Sequence, residues 1–323
     1  MIRSFVFSKG NLIAQDVVLD ALKVMLYDAD VHIWIDAEAP TDAETKSLLS
    51  DVFNFHPLAV EDCVNISERP KIDDYETYVF LVVHGLDYAA SEFHTLELNM
   101  FIGKNFLLTY HKEPLRSVTT TIERVNRQAP AVAKAPDRLS YAILNELHGN
   151  YDPAIEAMSA EIIAIEQAAL AKPDRNFLDR VVHLKSQVMR FRQIITPQRE
   201  VIARLAHGEF KVVRSAMLPY YRDLLDQIAR MADHADSYLD TLTATLQVQL
   251  NLQQMEVNRV IKVLTVLATL CMPALIVTSF YGMNVGHVPN TSWSWQASYA
   301  AIAVITAIAT GGVYLLLKRR KWM

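Results

Sequence analysis

Residues 263–281 read VLTVLATLCMPALIVTSFY, and residues 297–317 read ASYAAIAVITAIATGGVYLLL. From Val263 to Leu317 there is no Asp, Glu, Lys or Arg. A helix crosses a bilayer core of roughly 30 Å with about 20 apolar residues, and each stretch is long enough. Between them, residues 282–296 read GMNVGHVPNTSWSWQ. Gly, Pro and Asn there favour a turn, and Trp293 and Trp295 suit a membrane–water interface. The pattern is span, short loop, span. A pair of soluble helices would need a polar face, which these stretches lack.

Outward from the spans, the charge is lopsided. The chain has 323 residues, 31 Lys+Arg and 36 Asp+Glu, a net charge of −5, with a mean hydropathy of +0.12. All 36 acids lie at or before Glu256, and four cations, Lys318 to Lys321, follow the second span. The first 262 residues hold 27 cations against 36 acids, a net of −9. This distribution excludes a fully soluble chain, a disordered chain and a basic nucleic-acid binder. The cluster KRRK marks a cytoplasmic end. Two spans then place the N-terminal part in the cytoplasm too, with the loop outside. The start, MIRSFVFSKG, has no long apolar run and no small-residue cleavage site, so no secretory signal is expected. Cys63 and Cys271 cannot make a disulfide framework or a zinc knuckle, and free thiols fit a reducing compartment.

Residues 1–113 read as an α/β domain. VHIWIDA, YVFLVVHGLDY, TLELNMFIG and NFLLTYH are short runs rich in β-branched and aromatic residues, bounded by Gly, Asp and Asn. TDAETKSLLSDVF predicts a helix with Thr41 as N-cap and Glu44 completing a capping box. HPLAVEDCVN predicts another, starting near Pro57. From Pro114 helix formers dominate. Periodic apolar positions run from Leu139 to Leu170, with a kink expected at Pro153, and again from Phe177 to Leu205. A third run starts near Pro219 and meets no stop before Gly282, so residues 114–262 should end in a stalk continuous with the first span. Sixty-odd helical residues at 1.5 Å each reach roughly 95 Å. Pro273 predicts a kink inside the membrane.

Two patterns run along the stalk. Asp226, Asp233 and Asp240 recur every seven residues. Farther on, Asn251, Gln254, Asn258, Ile261, Thr265, Ala268, Met272 and Leu275 follow at steps of three or four, a single helix face that turns from amide to apolar. Spacing alone fits helix packing and pore lining equally.

Tyr281-Gly282-Met283-Asn284, at the end of the first of two C-terminal spans, resembles the signature of the CorA family of divalent-cation transporters. HPLAVEDCVN from His56, ERPKIDDYETYVF from Glu68, PYYRDLLDQ from Pro219, NRVIKVLTVLATLCMP from Asn258 and the terminal KRRKWM are similar to the family as well. The resemblance implies a funnel-shaped homopentamer in a bacterial inner membrane, its pore lined by the first span and ringed by the second. Residues 263–323 would be the transmembrane domain, with a cytosolic tail at 318–323. Two helices cannot enclose a water-filled path by themselves, and closed rotational symmetry is the usual solution for identical chains.

The resemblance assigns roles residue by residue. Gly282, Met283 and Asn284 would form the outer pore mouth and selectivity filter. Mg²⁺ gives up its inner waters reluctantly, and a ring of Asn284 amides with backbone carbonyls would hold those waters without stripping them. Asn258 would form a polar ring at the cytosolic membrane face. Ile261, Leu264, Thr265, Met272 and Leu275 would line the pore, the apolar ones gating by dewetting. Leu275 and Gln247 stand where some members carry Thr and Asp. Asp62 and Asp223 match the carboxylates with which the family binds regulatory Mg²⁺ between cytosolic domains.

One segment departs from the best-known Mg²⁺ members, which carry Met-Pro-Glu after the signature. Here residues 285–290 read VGHVPN, similar to the Gly-Gly-Ile-Pro of the zinc-transporting ZntB branch. His287 reads either as a solvated loop histidine or as a group that would suit a softer ion such as Zn²⁺, and Co²⁺ belongs to the same range of cargo. The chain has no P-loop and no nucleophile-elbow motif. The sequence therefore predicts a transporter rather than an enzyme, with no ATP, no nucleic acid, and the lipid bilayer and its own copies as partners.

Overall fold

The computed structural model describes residues 1–28, 30–65, 67, 69–89, 92–171, 176–282, 295–320 and 322. They fall into two units, Met1–Thr245 and Leu246–Met323.

In the first unit seven strands make one sheet, in the order β2-β1-β3-β7-β6-β5-β4. They are β1 (Ile2–Ser8), β2 (Asn11–Gln15), β3 (Val31–Glu38), β4 (Lys71–Asp74), β5 (Tyr78–Ala89), β6 (Glu92–Gly103) and β7 (Phe106–His111). Only β3 and β7 pair in parallel; the other neighbours are antiparallel. Alternation sorts the side chains onto two faces. One face carries Val6, Ile33, Ile35, Phe80, Phe101 and Leu108, which pack with Leu22, Leu48, Leu49, Ala59 and Cys63 from the helices α1 (Leu19–Met25), α2 (Asp42–Lys46), the π-helical turn after it (Ser47–Val52) and α3 (Pro57–Val64). Phe55 stacks on Phe101 there at 4.1 Å between ring centroids. On the opposite face Trp34 stacks with Phe5 at 5.0 Å.

The expected strands at Val31, Tyr78, Thr95 and Asn105 are present, each within three residues of its expected start. Thr41 and Glu44 form the complete capping box, worth about 1 kcal/mol at the cap itself. His56 caps α3 by accepting the Leu58 N–H on Nδ1 at 3.2 Å, and Pro57 occupies the first turn. The strands β1, β2 and β4 and the helix α1 are additions to the sequence-based expectation.

Helices follow the sheet: α4 (Arg116–Val132), α5 (Pro136–Gly149), α6 (Asp152–Leu170) and α7 (Phe177–Ala206). Pro153 does not kink one long helix, as expected from sequence. The chain leaves α5 after Gly149 and restarts at Asp152, with Pro153 in the first turn of α6. That position needs no N–H partner, so proline fits it without strain.

The helix α8 runs from Leu218 to Gly282, 65 residues with Pro273 inside, and α9 from Trp295 to Arg319. Over its first turns α8 buries Tyr221, Leu224, Ile228, Ala235 and Leu242, while Asp226, Asp233 and Asp240 point to solvent. Among the described residues two helices are long and apolar enough to cross a membrane, and none of their most apolar windows is buried within the chain.

Candidate functional site

Asn258, Ile261, Leu264, Thr265, Met272 and Leu275 all lie on α8. The amide face is as spaced in the sequence: Gln247 donates to Asn251 at 3.4 Å, and Gln254 donates to Asn258 at 3.3 Å. Farther along, Thr265 donates to the Ile261 carbonyl at 2.8 Å, satisfying its hydroxyl within the helix. Ile261 is 55%, Leu264 65%, Met272 61% and Leu275 62% exposed. Val263, Leu267 and Ile276 elsewhere on the helix are equally bare, so exposure runs round the whole circumference. The change from amide to apolar residues, not exposure, distinguishes one face. Gly282 is the last residue of α8, and a Cβ there would meet nothing within 4 Å. Met283 and Asn284, with residues 285–290, lie outside the described residues.

Asp62 and Asp223 both sit on helices of the first unit. Asp62, on α3, is ion-paired with Lys71 of β4, whose ammonium also lies 3.9 Å from Asp73. Asp223, on α8, accepts from Gln227 one turn on, at 2.9 Å. Both carboxylates are exposed or half-exposed. Each therefore has a partner within its own chain.

Among the described residues, one trio of metal-type side chains comes together: Asp36, Glu38 and His111. Its spacing gave no signal in the sequence, because strand register assembles it. Arg3 lies opposite Asp36 in the β1–β3 pair, and His111 lies opposite Glu38 in the β3–β7 pair. The trio is already neutralised. Arg3 donates to Asp36 at 2.8 Å and to Glu38 at 2.6 Å. Thr109 donates to Asp36 at 2.7 Å. His111 faces an acceptor with each ring nitrogen, the Glu113 carbonyl at 2.7 Å and Asp36 at 3.1 Å. A ring that donates from both nitrogens is the cation and has no lone pair for a metal. The trio thus reads as a buried ion cluster tying three strands together.

Burial pushes the Asp36 carboxyl up, but the His111 hydrogen bond and charge, Thr109 and Arg3 outweigh it and hold the group below its usual range. Burial pushes His111 down, but Asp36 and the Glu113 carbonyl outweigh that and hold it above. A raised histidine stabilises fully below its unfolded value of 6.5, and the gain fades as pH rises through the folded value. A depressed carboxylate stabilises fully above 3.8, and the gain fades as pH falls through its folded value. The stability advantage of the protein over a His111→Gln variant is therefore expected to be full between those two values and to shrink on the alkaline side. Unfolding midpoints of both proteins at pH 5.5 and 8.5 check this, and an advantage that grows with pH would contradict it.

Comparison with known proteins bears on the chain as a whole. The profile of a family described as CorA-like Mg²⁺ transporter protein matches residues 29–319. The chain is 26% identical over 299 residues to the cobalt/magnesium transport protein CorA of Thermotoga maritima, covering 92% of this chain and 85% of that protein. In structure it is similar to the CorA magnesium transporter of Methanocaldococcus jannaschii, with a TM-score of 0.77 and 20% identity over 99% of this chain and 98% of the other. The cytoplasmic domain of ZntB from Vibrio parahaemolyticus is a more distant likeness, with a TM-score of 0.58 and 16% identity over 69% of this chain and 88% of that one.

Proposed function

The chain belongs to the family of CorA-like Mg²⁺ transporter proteins, and from that premise we propose that it is a homopentameric channel admitting hydrated Mg²⁺ across a bacterial inner membrane. Transport of a divalent metal ion by an integral membrane protein follows from the family match and the two apolar helices. The choice of Mg²⁺ rests on the relatives named for magnesium.

One observation carries the pore. Two spans that bury nothing of themselves within the chain are free to meet lipid or further copies. The amide ladder of Gln247, Asn251, Gln254 and Asn258 gives the cytosolic stalk one polar face that runs up to the membrane. Five copies of that face round an axis would line a water-filled path, and the same face continues into Ile261, Leu264, Thr265, Met272 and Leu275. In this reading Gly282, Met283 and Asn284 form the selective mouth. Residues 1–113 and 114–262 stand in the cytosol, the loop at 282–296 stands outside, and Lys318 to Lys321 hold the C-terminus inside. The membrane potential supplies the drive, about 4.6 kcal/mol for two charges across 100 mV. No side chain in the pathway is asked to do covalent chemistry, in keeping with a transporter rather than an enzyme.

The ZntB-like loop sequence, with His287 in place of a carboxylate, favours a second cargo, Zn²⁺. Ion-by-ion flux into liposomes decides: Mg²⁺ entry supports the first reading, and Zn²⁺ entry without Mg²⁺ entry replaces it. A purified protein that passes neither ion would be a membrane-anchored scaffold.

Asp62 and Asp223 are proposed to hold a regulatory Mg²⁺ between neighbouring subunits. Loss of the ion would leave like charges facing each other and loosen the ring. Binding there has to compete with Lys71 for Asp62. The double change Asp62→Asn with Asp223→Asn is expected to relieve inhibition by internal Mg²⁺, raising its half-inhibitory concentration roughly tenfold, as for the loss of about 1.4 kcal/mol of binding. An unchanged inhibition curve would remove both residues from the regulatory role.

A further inference from the structure

The strand β4 reads Lys71-Ile72-Asp73-Asp74. Side chains two residues apart share a face of a strand, so Lys71 and Asp73 stand together. In register Lys71 lies opposite Val82 and Asp73 opposite Phe80, and both of those residues belong to the core on which α3 packs through Ala59 and Cys63. That packing sets Asp62 of α3 beside the same face. The Lys71 ammonium is ion-paired with Asp62 and lies 3.9 Å from Asp73, with the centre of the Phe80 ring 5.7 Å away. The first contact is a charge-assisted bond; the second is too long for one. One ammonium thus stands between two carboxylates and is committed to Asp62.

The side chains are 31% exposed for Lys71, 39% for Asp62 and 46% for Asp73, so water and dissolved ions reach all three. In a dry interior, parting such a pair would strand a buried charge. Here the pair parts at small cost, since an exposed ion pair is worth at most a factor of about five in an equilibrium. Among the described residues no other cation pairs with Asp62 or Asp73. The carboxylate of Asp62 is a hard oxygen donor of the kind Mg²⁺ takes, so the side chain fits a regulatory ion once the ammonium has left it.

We propose that Lys71 is a built-in competitor for the regulatory Mg²⁺: the ion takes Asp62 by displacing the ammonium, and Asp73 receives it. The exchange rests on the reading that Asp62 and Asp223 hold Mg²⁺ and adds what sets the threshold of that site. Two effects of opposite sign follow. Loss of Lys71 strengthens Mg²⁺ binding, because Asp62 is no longer neutralised. Loss of Asp73 weakens it, because the displaced ammonium has no second carboxylate to go to. The second effect exists only while Lys71 is present, which separates the exchange from a general loss of negative charge near the site.

Melting temperature of the full-length detergent-solubilised protein, read in MgCl2 against NaCl at equal ionic strength, tests the exchange without any transport measurement. The double variant Asp62→Asn with Asp223→Asn gives the part of the shift that arises elsewhere, and only the remainder is compared. Lys71→Met, which keeps the apolar stem, is expected to lower the half-saturating MgCl2 concentration roughly fivefold. Asp73→Asn is expected to raise it roughly twofold on its own and to leave it unchanged in the Lys71→Met background. If Lys71→Met does not fold, Lys71→Gln takes its place. If the Asp62 and Asp223 double variant shifts as the parent does, the reading of those two residues falls and the exchange with it. If that variant loses shift while Lys71→Met leaves half-saturation where it was, the reading stands and the exchange alone is overturned. The exchange is overturned equally if Asp73→Asn acts as strongly without Lys71 as with it.

Discussion

Asn284→Ala is expected to lower Mg²⁺ flux by roughly tenfold or more, the change for a loss of about 1.4 kcal/mol shared among the copies of one ring. The physical reason lies in what Mg²⁺ demands. Its waters exchange reluctantly, so a filter selects it by hydrogen-bonding the hydrated ion rather than replacing its shell. A neutral amide oxygen does this and still lets the ion go. Alanine removes the acceptor; flux and apparent affinity are expected to fall together. Asn284→Asp is the informative contrast. A ring of carboxylates binds more tightly and releases more slowly, so apparent affinity rises while maximal flux falls. Stopped-flow uptake into liposomes, with all three proteins reconstituted at equal density, reads both quantities. Wild-type flux that survives Asn284→Ala intact would remove Asn284 from the conduction path. It would leave the family assignment standing.

How far the sequence reveals this molecule depends on the range of each interaction. The long helix α8 is legible because its causes are local: helix formers, no Gly before Gly282, and an apolar run longer than a soluble helix needs. The capping box at Thr41 and Glu44 is legible for the same reason, two side chains three residues apart bonding each other's backbone. The strand β4 is not. KIDD has two Asp in four residues, and only its pairing with Val79–Val82 makes it a strand. Pro153 misleads because the rule that it disrupts a helix interior says nothing of whether the residue is interior. The cluster of Arg3, Asp36, Glu38 and His111 is invisible for a stronger reason. It joins residues as far apart as 3 and 111 through two strand registers, and no spacing within the chain encodes a register. Of the proposed ion path, the order of residues along one face of α8 is written in the sequence. What covers that face is left to the proposed assembly.

Gln198→Leu is expected to cost about 2–5 kcal/mol of stability. Gln198 is fully buried on α7, and its amide completes the edge of the sheet. The strand β5 has twelve residues and its outer neighbour β4 only four, with the pairing ending at Lys71 and Val82. Two residues beyond, at His84, the backbone would be left open. Instead the His84 N–H donates to Gln198 Oε1 at 2.9 Å, and Gln198 Nε2 lies 3.3 Å from the His84 carbonyl. The side chain stands in for the missing strand. The same nitrogen reaches His148 Nε2 at 2.7 Å and the Tyr151 hydroxyl at 2.8 Å, tying α7 to the end of α5 as well. His148 Nδ1 donates to the Leu144 carbonyl at 2.6 Å, so Nε2 is the acceptor. Leucine conserves the volume but orphans the His84 N–H and His148 Nε2, and each buried orphan costs about 1–3 kcal/mol. The double variant Gln198→Leu with His148→Leu removes one orphan, so it should recover at least about 1 kcal/mol relative to additivity. Burial lowers the His148 pKa to about 4. Because 6.5 in the unfolded chain exceeds that value, this residue's contribution falls as pH drops from 6.5 towards 4. The acid sensitivity assigned to His148 must therefore be smaller in the double variant than in the parent. Denaturant midpoints of the three proteins at pH 7 and pH 5, followed by tryptophan fluorescence, test the edge-capping role and the acid dependence together. A Gln198→Leu midpoint equal to the parent's would show that water or a neighbouring group replaces the amide without loss.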